Sequence, residues 1–262
     1  MAERVRIASW NVNGIRACCR KGFVEWLGRA RADIVGIQEV RAAEADLPEQ
    51  VGKLRIWSSS FTHAVRRGYS GVGTLSRTPP LLARREIGER RFDDEARVLE
   101  TEHERFILFN VYFPKGSGKD RDNSRVPYKL DFYEAFFDHA LRRKKQRKKP
   151  LVVLGDFNTA REAIDLKNPR TNVTTSGFLP EEREALARQL GRGFVDTYRH
   201  LHPERVQYTW WSQRIGVREK NIGWRIDYIW VSAELLPHLT AATIDDQVRG
   251  SDHCPIGIVL EF

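Results

Sequence analysis

Cysteines are few and long apolar runs are absent in this chain of 262 residues. The three cysteines, Cys18, Cys19 and Cys254, are too few for a disulfide scaffold and match no zinc-site spacing, which favours a reducing compartment. No stretch approaches the roughly 18 apolar residues that span a bilayer, and no signal-peptide core follows the N-terminus. We therefore expect a cytoplasmic protein, nucleoid-associated if prokaryotic, that is neither secreted nor bound to a membrane.

The charge balance is basic. Lys and Arg total 44 against 35 Asp and Glu, which gives a net charge of +9 and a pI near 9.6. Most of the basic residues are arginine, which suits bidentate contact with phosphate, so a polyanionic partner is one interpretation and an ordinary solvated surface is the other. We interpret the basic run at residues 142–149 as a solvated helix end, where cations favour the helix dipole.

Apolar patterns predict strands and helices along the whole chain. Runs typical of strands occur at residues 5–11, 34–38, 71–76, 97–101, 106–113, 151–156, 208–212, 225–231 and 254–262. Helical spacing predicts helices near residues 23–30, 130–141 and 181–190, the last with Pro180 at its first position and Gly191 after its end.

The number of strands indicates the fold class. Nine strands are too many for one strongly twisted open sheet, which favours an α/β fold of two packed sheets flanked by helices. No linker or change of composition divides the chain, and aromatic residues, 10% of the total, are spread along it, which excludes disorder. We therefore predict a single domain over residues 1–262.

Polar residues cluster where four apolar strands end or begin. The clusters are Asn11 with Asn13, Gln38 with Glu39, Asp156 with Asn158, and Asp252 with His253. Residues two apart point to one face of a strand, and strand ends of a mixed sheet meet at one edge, so these oxygens can converge. Such ligands suit Mg²⁺ or Mn²⁺, and His253 adds an acid, base or phosphate-polarising group. Taken singly, each cluster is better explained by a turn, because Asn and Asp at strand ends usually form turns.

Seven short motifs follow one another in the chain. They lie at residues 9–17 (SWNVNGIRA), 37–39 (IQE), 110–114 (NVYFP), 155–158 (GDFN), 177–183 (GFLPEER), 223–228 (GWRIDY) and 250–255 (GSDHCP). In this order they resemble the exonuclease III family of abasic-site endonucleases, over residues 5–262. The resemblance implies a four-layer α/β sandwich of two packed mixed β-sheets flanked by helices, shared with DNase I-like phosphodiesterases and inositol phosphatases.

The resemblance also implies a metal site and a catalytic set. The ion is expected to be Mg²⁺, with Mn²⁺ as a substitute, and the candidate ligands are Asn11, Glu39, Asp156, Asn158, Asp252 and His253. The implied catalytic residues are Asp156 for the attacking water, Asn158 for the phosphate, Tyr112 as a phenol near the scissile phosphate, and His253 oriented by Asp227. From its strand pattern alone, Tyr112 is equally consistent with a buried aromatic.

Further positions match the family's contacts with DNA. Trp210, Trp224 and Ile226 align with a pocket for a flipped, base-free deoxyribose, whereas we assign Trp211 to the core. Positions that match contacts with the DNA backbone are Arg16, Ala17, Lys21, Gly68, Tyr69 and Arg97. The chain departs from the pattern at three places: Asn13 stands where some members have Asp, a polar segment occupies residues 115–123, and residues 214–218 replace those that enter the minor groove.

The implied activity is that of a Mg²⁺-dependent DNA-repair phosphodiesterase. It would act on duplex DNA as a monomer, cleaving 5′ to abasic sites to leave a 3′-hydroxyl and acting on blocked 3′ ends, with 3′→5′ exonuclease and 3′-phosphatase or 3′-phosphodiesterase activities. The alternative is a DNase I-like phosphodiesterase or phosphatase with a non-DNA substrate, which would not need Trp210, Trp224, Arg16 or Lys21. A non-catalytic DNA-binding relative would have lost one of its catalytic residues.

Overall fold

The chain folds into two mixed β-sheets and a short β-ribbon. The computed structural model describes residues 3–120 and 122–262. Its strands are β1 (Arg4–Asn11), β2 (Ile34–Gln38), β3 (Ser58–Thr62), β4 (Val72–Ser76), β5 (Leu82–Arg84), β6 (Val98–Glu102), β7 (Ile107–Tyr112), β8 (Leu151–Asp156), β9 (Phe194–Asp196), β10 (Trp210–Trp211), β11 (Gly223–Trp224), β12 (Asp227–Ser232), β13 (Leu239–Ile244) and β14 (Ile256–Glu261). The first sheet has the order β13-β14-β1-β2-β4-β3, the second has the order β5-β6-β7-β8-β12-β9, and β10 and β11 form the ribbon.

Helices cover the outer faces of the sheets. The α-helices are α1 (Ile15–Cys19), α2 (Phe23–Arg29), α3 (Glu49–Gly52), α4 (Arg90–Asp93), α5 (Val126–Arg147), α6 (Pro180–Leu190) and α7 (Thr197–Leu201). The three predicted helices are confirmed as α2, α5 and α6. Helix α5 is longer than predicted because Pro127 forms part of its first turn and the helix continues until Lys148 adopts a left-handed conformation with φ 53°.

Three apolar clusters define four layers. Ile7, Leu108 and Leu154 belong to the cluster between the two sheets. Trp10 on β1 packs against Trp26 of α2, with ring centroids 4.8 Å apart, outside the first sheet. Phe109 on β7 packs against Phe136 of α5 outside the second sheet. The order is therefore helix, sheet, sheet, helix, which confirms the four-layer α/β sandwich.

The strands that the sequence pattern misses are mostly edge strands. Strands β3, β5, β9 and β13 lie at the four outer edges of the two large sheets. An edge strand buries less of its surface, so it tolerates polar residues and short length, as in Ser58–Thr62 and Leu82–Arg84. The predicted apolar runs correspond to the inner strands of the two large sheets and to β10 of the ribbon, whereas β11, which like β10 has two residues, was not predicted.

The strand directions bring one set of ends together. Strands β1 and β2 are parallel with Asn11 opposite Gln38, and β7 and β8 are parallel with Tyr112 opposite Asp156. Below these ends the two sheets are joined by buried hydrogen bonds, since Gln38 Nε2 donates to Asn110 Oδ1 at 2.7 Å. Gly36 allows this close approach, because a Cβ atom there would lie 2.3 Å from Leu154 Cδ1.

The basic run at residues 142–149 lies at the end of α5, as predicted, but much of it is paired with acidic residues. Arg143 Nη2 lies 2.8 Å from Glu100 Oε1 and is almost fully buried, and Arg147 and Lys149 both contact Glu102. These pairs fasten the end of α5 to β6, and most of the run, at residues 142 and 145–148, is exposed as predicted. Among the described residues, no helix has both the length and the apolar character that a membrane span requires.

Candidate active site

The polar clusters at the strand ends converge at one edge of the sandwich. Asn11 Nδ2, at the end of β1, donates to Glu39 Oε1 at 2.9 Å and to Asp156 Oδ2 at 2.8 Å. His253 Nδ1 lies 2.8 Å from Asp227 Oδ2, and its Nε2 lies 3.8 Å from Asp156 Oδ2. Residues from both sheets thus meet in one connected group, as the sequence pattern predicts.

Two turns of the same form shape this edge. Asn13 N donates to Asn11 Oδ1 at 3.0 Å, and Asn158 N donates to Asp156 Oδ1 at 2.8 Å. Asn13 and Asn158 have φ values of 45° and 51°, so each chain turns sharply after its strand. The expectation that each pair projects from one strand face is therefore wrong, because β1 ends at Asn11 and β8 at Asp156.

Glu39, Asp156 and His253 form a candidate metal centre. Each offers one ligand atom, these atoms lie within 4.8 Å of one another, and all three side chains are buried. A buried carboxylate oxygen beside them, Asp227 Oδ1, has no hydrogen-bond partner among the described residues. Two carboxylates and an imidazole suit a divalent cation, so the residues fit a metal ion.

Asp252 lies beside this group and is held by other contacts. Its Oδ1 accepts from Asn13 Nδ2 at 2.8 Å, and its Oδ2 accepts from Trp210 Nε1 at 3.2 Å. Asn158 Nδ2 donates to Phe113 O at 2.8 Å, which fixes the orientation of its amide. The structure therefore brings all six predicted ligand residues to one edge, with Glu39, Asp156 and His253 closest together.

Burial and neighbouring charges change the acidity of these groups. Burial, reinforced by the nearby Asp227 carboxylate, raises the pKa of Asp156 to about 7. Burial alone would lower the pKa of His253, but Asp227 and Asp156 outweigh it and raise that pKa to about 9. Burial would also raise the pKa of Glu39, yet Lys115 and Arg41 hold it below its ordinary value. In the absence of a metal ion, the site therefore combines an imidazolium with carboxylates of different basicity.

A buried ion pair behind the site supports the Asn158 turn. Lys129 Nζ donates to Asn158 O at 2.7 Å and to Glu182 Oε1 at 2.7 Å, with both side chains fully buried. Glu182 Oε2 in turn accepts from Gly177 N at 2.5 Å. The pair therefore links the turn after β8 to the loop before α6, a connection that the sequence pattern does not reveal.

A cavity of about 230 Å³ opens beside the acidic group. Trp210, Trp224 and Ile226 line its apolar side, and the two tryptophan rings are almost perpendicular, with centroids 6.4 Å apart. Its other lining residues are Lys115, Ser117, Asn158, Thr175, Ser176, Gly177 and His253. Trp211 is buried in the core between the sheets, as expected for a structural residue.

Comparison with known proteins identifies the family. Residues 8–253 match the endonuclease/exonuclease/phosphatase family. The chain belongs to this family. It is 39% identical over 260 residues to an exodeoxyribonuclease of Bacillus subtilis (98% of this chain, 100% of the relative) and 38% identical over 268 residues to the DNA repair nuclease APEX1 of Danio rerio (99% and 83%). An AP endonuclease structure from Archaeoglobus fulgidus superposes with a TM-score of 0.87 at 27% identity, covering 98% of this chain and 99% of that one.

Tyr112 lies within this endonuclease/exonuclease/phosphatase site. It is the last residue of β7, beside Asp156 in the sheet, and its ring lies under the Arg97 guanidinium at 4.7 Å from the centroid. Burial and the nearby Glu39 carboxylate raise the pKa of Tyr112 well above its ordinary value, so the phenol remains a proton donor. The residue is thus both a buried aromatic and a neighbour of the acidic group.

Residues that match the family's DNA contacts differ in exposure. Arg16, Lys21 and Gly68 are exposed, and Ala17 and Tyr69 are partly exposed. Arg97, by contrast, is only 2% exposed, and it donates to Tyr69 Oη at 2.7 Å and to Tyr112 O at 3.0 Å. The structure therefore uses Arg97 to hold the two tyrosines, because its guanidinium is turned away from solvent. A direct contact between Arg97 and DNA has no support in this geometry.

Arg41 is a residue of the family site that the sequence pattern did not single out. Its Nε donates to Glu39 Oε2 at 3.1 Å, and its Nη2 contacts the same oxygen. Glu39 Oε1 is already engaged by Asn11, so both oxygens of the carboxylate have partners. The only signal in the sequence was an arginine two residues after the motif carboxylate.

Replacing Arg41 with Gln should strengthen the binding of Mn²⁺ to the DNA-free protein by roughly three- to tenfold. The guanidinium carries a positive charge and occupies Glu39 Oε2, so it opposes a second cation there. Isothermal titration of metal-stripped protein measures the change, with Arg84→Gln, an exposed substitution on β5, as the control. Weaker Mn²⁺ binding in Arg41→Gln would show instead that Arg41 orients Glu39 for the metal.

Proposed function

We propose that this protein is a Mg²⁺-dependent DNA-repair phosphodiesterase that cleaves duplex DNA 5′ to abasic sites and leaves a 3′-hydroxyl. We also propose 3′→5′ exonuclease and 3′-phosphatase or 3′-phosphodiesterase activities at the same site. One observation carries the proposal: a buried group of Glu39, Asp156 and His253 borders a cavity with a tryptophan-lined side. The relatives named as an exodeoxyribonuclease and a DNA repair nuclease support it.

Asp156 and His253 would have different roles in the reaction: Asp156 would accept a proton, and His253 would stabilise negative charge on the phosphate. Burial and Asp227 raise the pKa of Asp156 in the metal-free site, and in the reaction Asp156 would orient the attacking water and take its proton. His253, protonated and held through Nδ1 by Asp227, would donate to a phosphate oxygen as negative charge increases in the transition state. Asn158 and Tyr112 would steady the same phosphate.

Glu39 would hold the metal ion, with Asp156, Asn11, Asn158 and Asp252 around it, whereas His253 would keep its proton for the phosphate and would not coordinate the ion. A bound Mg²⁺ would supply electrostatic stabilisation of the charge on the phosphate. Asn11 joins the two carboxylates by donating to both, so it keeps their oxygens directed at one point. The fit of a hard cation to this donor set supports Mg²⁺, with Mn²⁺ as a substitute.

The cavity would select the abasic nucleotide by shape. Trp210, Trp224 and Ile226 provide an apolar surface for a base-free deoxyribose, and an intact nucleotide would be too bulky for it. Gly177 permits this width, because a Cβ atom there would lie 3.3 Å from Trp224 Cζ3. The exposed Arg16 and Lys21 would contact the DNA backbone without reading sequence.

Replacing Trp224 with Ala should lower kcat/KM for incision at an abasic site by roughly ten- to a hundredfold. The substitution removes one side of the cavity, so the extruded sugar is held less firmly and larger nucleotides are excluded less well. Steady-state kinetics on abasic and undamaged duplexes measure both effects, with Trp57→Phe, which packs against the cluster outside the first sheet and does not line the cavity, as the control. Unchanged incision by Trp224→Ala would mean that the sugar binds elsewhere.

The decisive experiment is product analysis on an end-labelled duplex of about 30 base pairs, roughly three helical turns, with one central tetrahydrofuran abasic analogue. A single incision 5′ to the analogue, present with Mg²⁺ and absent with EDTA, would support the endonuclease proposal. A ladder from the 3′ end with little internal cutting would make the enzyme chiefly an exonuclease. Absence of cleavage in both Mg²⁺ and Mn²⁺ would overturn the DNA-repair proposal and favour a phosphorylated small molecule.

We further propose that the enzyme acts as a single-domain monomer in the cytoplasm. The four layers share one continuous pair of sheets, and the three cysteines are free and buried, which suits a reducing environment. Size-exclusion chromatography with light scattering tests the monomer, and a mass near twice 30.3 kDa would contradict it.

A further inference from the structure

We propose that Lys115 makes this active site favour terminal phosphate monoesters. Lys115 would raise kcat/KM for removal of a 3′-phosphate more than kcat/KM for incision of an internal phosphodiester. The inference rests on the proposed function, because it assigns a specificity-determining role within the same site. It concerns the polar segment after β7, where this chain departs from the family pattern.

The backbone around Lys115 is held in place. Pro114 and Gly116, on either side of it, are both buried, whereas the Lys115 side chain is exposed. A Cβ atom at Gly116 would lie 2.4 Å from Ser176 Oγ and 2.9 Å from Glu182 Oε1, so the chain is pressed against the loop before α6. Lys115 therefore extends over the cavity from a fixed position.

The ammonium group is free to interact with a substrate. The other cations around the site have committed partners, since Arg41 contacts Glu39 and Lys129 contacts Glu182. Within residues 3–120 and 122–262, no hydrogen bond or ion pair involves the Lys115 ammonium. Its charge nevertheless reaches the acidic group, because it lowers the pKa of Glu39 and opposes the rise in the pKa of Asp156.

Lys115 shares the cavity with groups suited to a phosphate. Asn158 and His253 line the cavity with it, as do the hydroxyl-bearing Ser117 and Thr175. Asn158, Ser117 and Thr175 offer neutral hydrogen-bonding groups whose contribution depends on geometry, whereas the Lys115 ammonium acts as a point charge on a flexible stem. The binding energy that Lys115 contributes should therefore depend more on the charge of the phosphate than on the orientation of the phosphate.

Charge distinguishes the two substrates. An internal phosphodiester carries one negative charge, whereas a terminal monoester carries roughly −1.5 to −2 at pH 7. Glu39, Asp156, Asp227 and Asp252 all lie at this edge and oppose the additional negative charge. A cation at the cavity lining offsets that repulsion, and it does so more strongly for the monoester.

The monoester reaction is a simple hydrolysis. A new bond forms between the water oxygen and phosphorus, and the bond between phosphorus and the 3′ oxygen breaks. The water proton passes to Asp156, and the 3′ oxygen leaves and takes a proton from solvent. The products are a DNA strand with a 3′-hydroxyl and inorganic phosphate, so no further reactant is needed.

The test compares two duplexes of one sequence, one with a central tetrahydrofuran analogue and one with a nick that carries a 3′-phosphate. Lys115→Gln should lower kcat/KM for 3′-phosphate removal about tenfold more than for incision, mainly through KM, and Lys115→Arg should largely restore the ratio. Inorganic phosphate should also inhibit the wild type more strongly than Lys115→Gln. Lys119→Gln, an exposed substitution in the same segment, should leave the ratio unchanged.

The outcomes separate this inference from the proposed function. If the wild type cleaves neither duplex, the proposed function fails before Lys115 is tested. If the wild type acts on both and Lys115→Gln reduces the two reactions equally, Lys115 is a general contact to the DNA backbone and the inference is wrong. It is also wrong if neither reaction changes while thermal unfolding shows an intact fold.

Discussion

Asp156→Asn should lower the single-turnover rate of incision by about 10³-fold or more while duplex binding is retained. The Asp156 carboxylate lies between Asn11 Nδ2 and the Asn158 amide, and its Oδ2 is 3.8 Å from His253 Nε2. An asparagine has nearly the same shape and its Oδ1 can still accept from Asn158 N, but its Nδ2 replaces the oxygen that accepts from Asn11 Nδ2. It also cannot take a proton from water. The loss should therefore appear in the chemical step, and fluorescence anisotropy should show nearly unchanged affinity for an abasic duplex in Ca²⁺.

The same substitution should remove a loss of stability that the metal-free protein undergoes as the pH rises to neutral. Burial and Asp227 raise the pKa of Asp156 to about 7, against 3.8 for an ordinary aspartate, so the folded state binds its proton more tightly than the unfolded state does. The wild type in EDTA should therefore lose stability relative to Asp156→Asn as the pH rises from about 4 to about 7. Denaturant unfolding at several pH values measures this difference.

Asp46→Asn is the matched control, because Asp46 is exposed whereas Asp156 is buried. It should change neither the incision rate nor the pH dependence of stability. An Asp156→Asn protein with more than a tenth of the wild-type rate would remove Asp156 from the role of base. If the stability of Asp156→Asn in EDTA falls with rising pH as steeply as that of the wild type, Asp156 is not the group that titrates.

The apolar pattern predicted the centre of the fold but missed its periphery. Strands β1, β2, β7 and β8 are buried on both faces, and burial requires the apolar runs by which they were recognised. The edge strand β3, with the sequence SSSFT, contains no such run, because its outer surface is not covered. A hydrophobicity pattern therefore predicts a strand only where both faces of that strand are buried.

The candidate site was predicted to a similar extent. The convergence of Asn11, Glu39, Asp156 and His253 followed from strand ends and from the family resemblance. The sequence did not predict which groups the arginine side chains contact, because the fold decides whether Arg97 points to solvent or toward Tyr69. Long basic side chains look alike in a sequence, and only their tertiary neighbours separate a surface contact from an internal support.

His253→Gln should lower the single-turnover rate by roughly 10²- to 10³-fold, the usual loss for one donor to a developing oxyanion. Glutamine is neutral, so it cannot supply the charge of an imidazolium to the phosphate. The His253 ring is buried and directed by Asp227, which places Nε2 toward Asp156 and the cavity. Product analysis with Mg²⁺ measures the loss, and His200→Gln, exposed on α7, is the matched control.

Asp227→Asn should have a smaller effect, about ten- to a hundredfold, because Asp227 acts through His253. Thr209 Oγ1 donates to Asp227 Oδ2 at 2.6 Å, the same oxygen that contacts His253. The Asp227→Asn side chain therefore keeps this orientation only if its amide oxygen takes the position of Oδ2. Proton NMR of the His253 ring in EDTA should show a pKa below that of the wild type, because the carboxylate that raises it is gone.

The double variant distinguishes a positioning role from an independent one. If Asp227 works only by orienting and charging His253, then Asp227→Asn adds nothing once His253→Gln is present, and the two losses are strongly non-additive. Losses that multiply would instead assign Asp227 its own contact with the substrate or the metal, a role that its unpartnered Oδ1 would allow. In that case the Asp227 carboxylate, and not only the imidazole, would face the reacting phosphate.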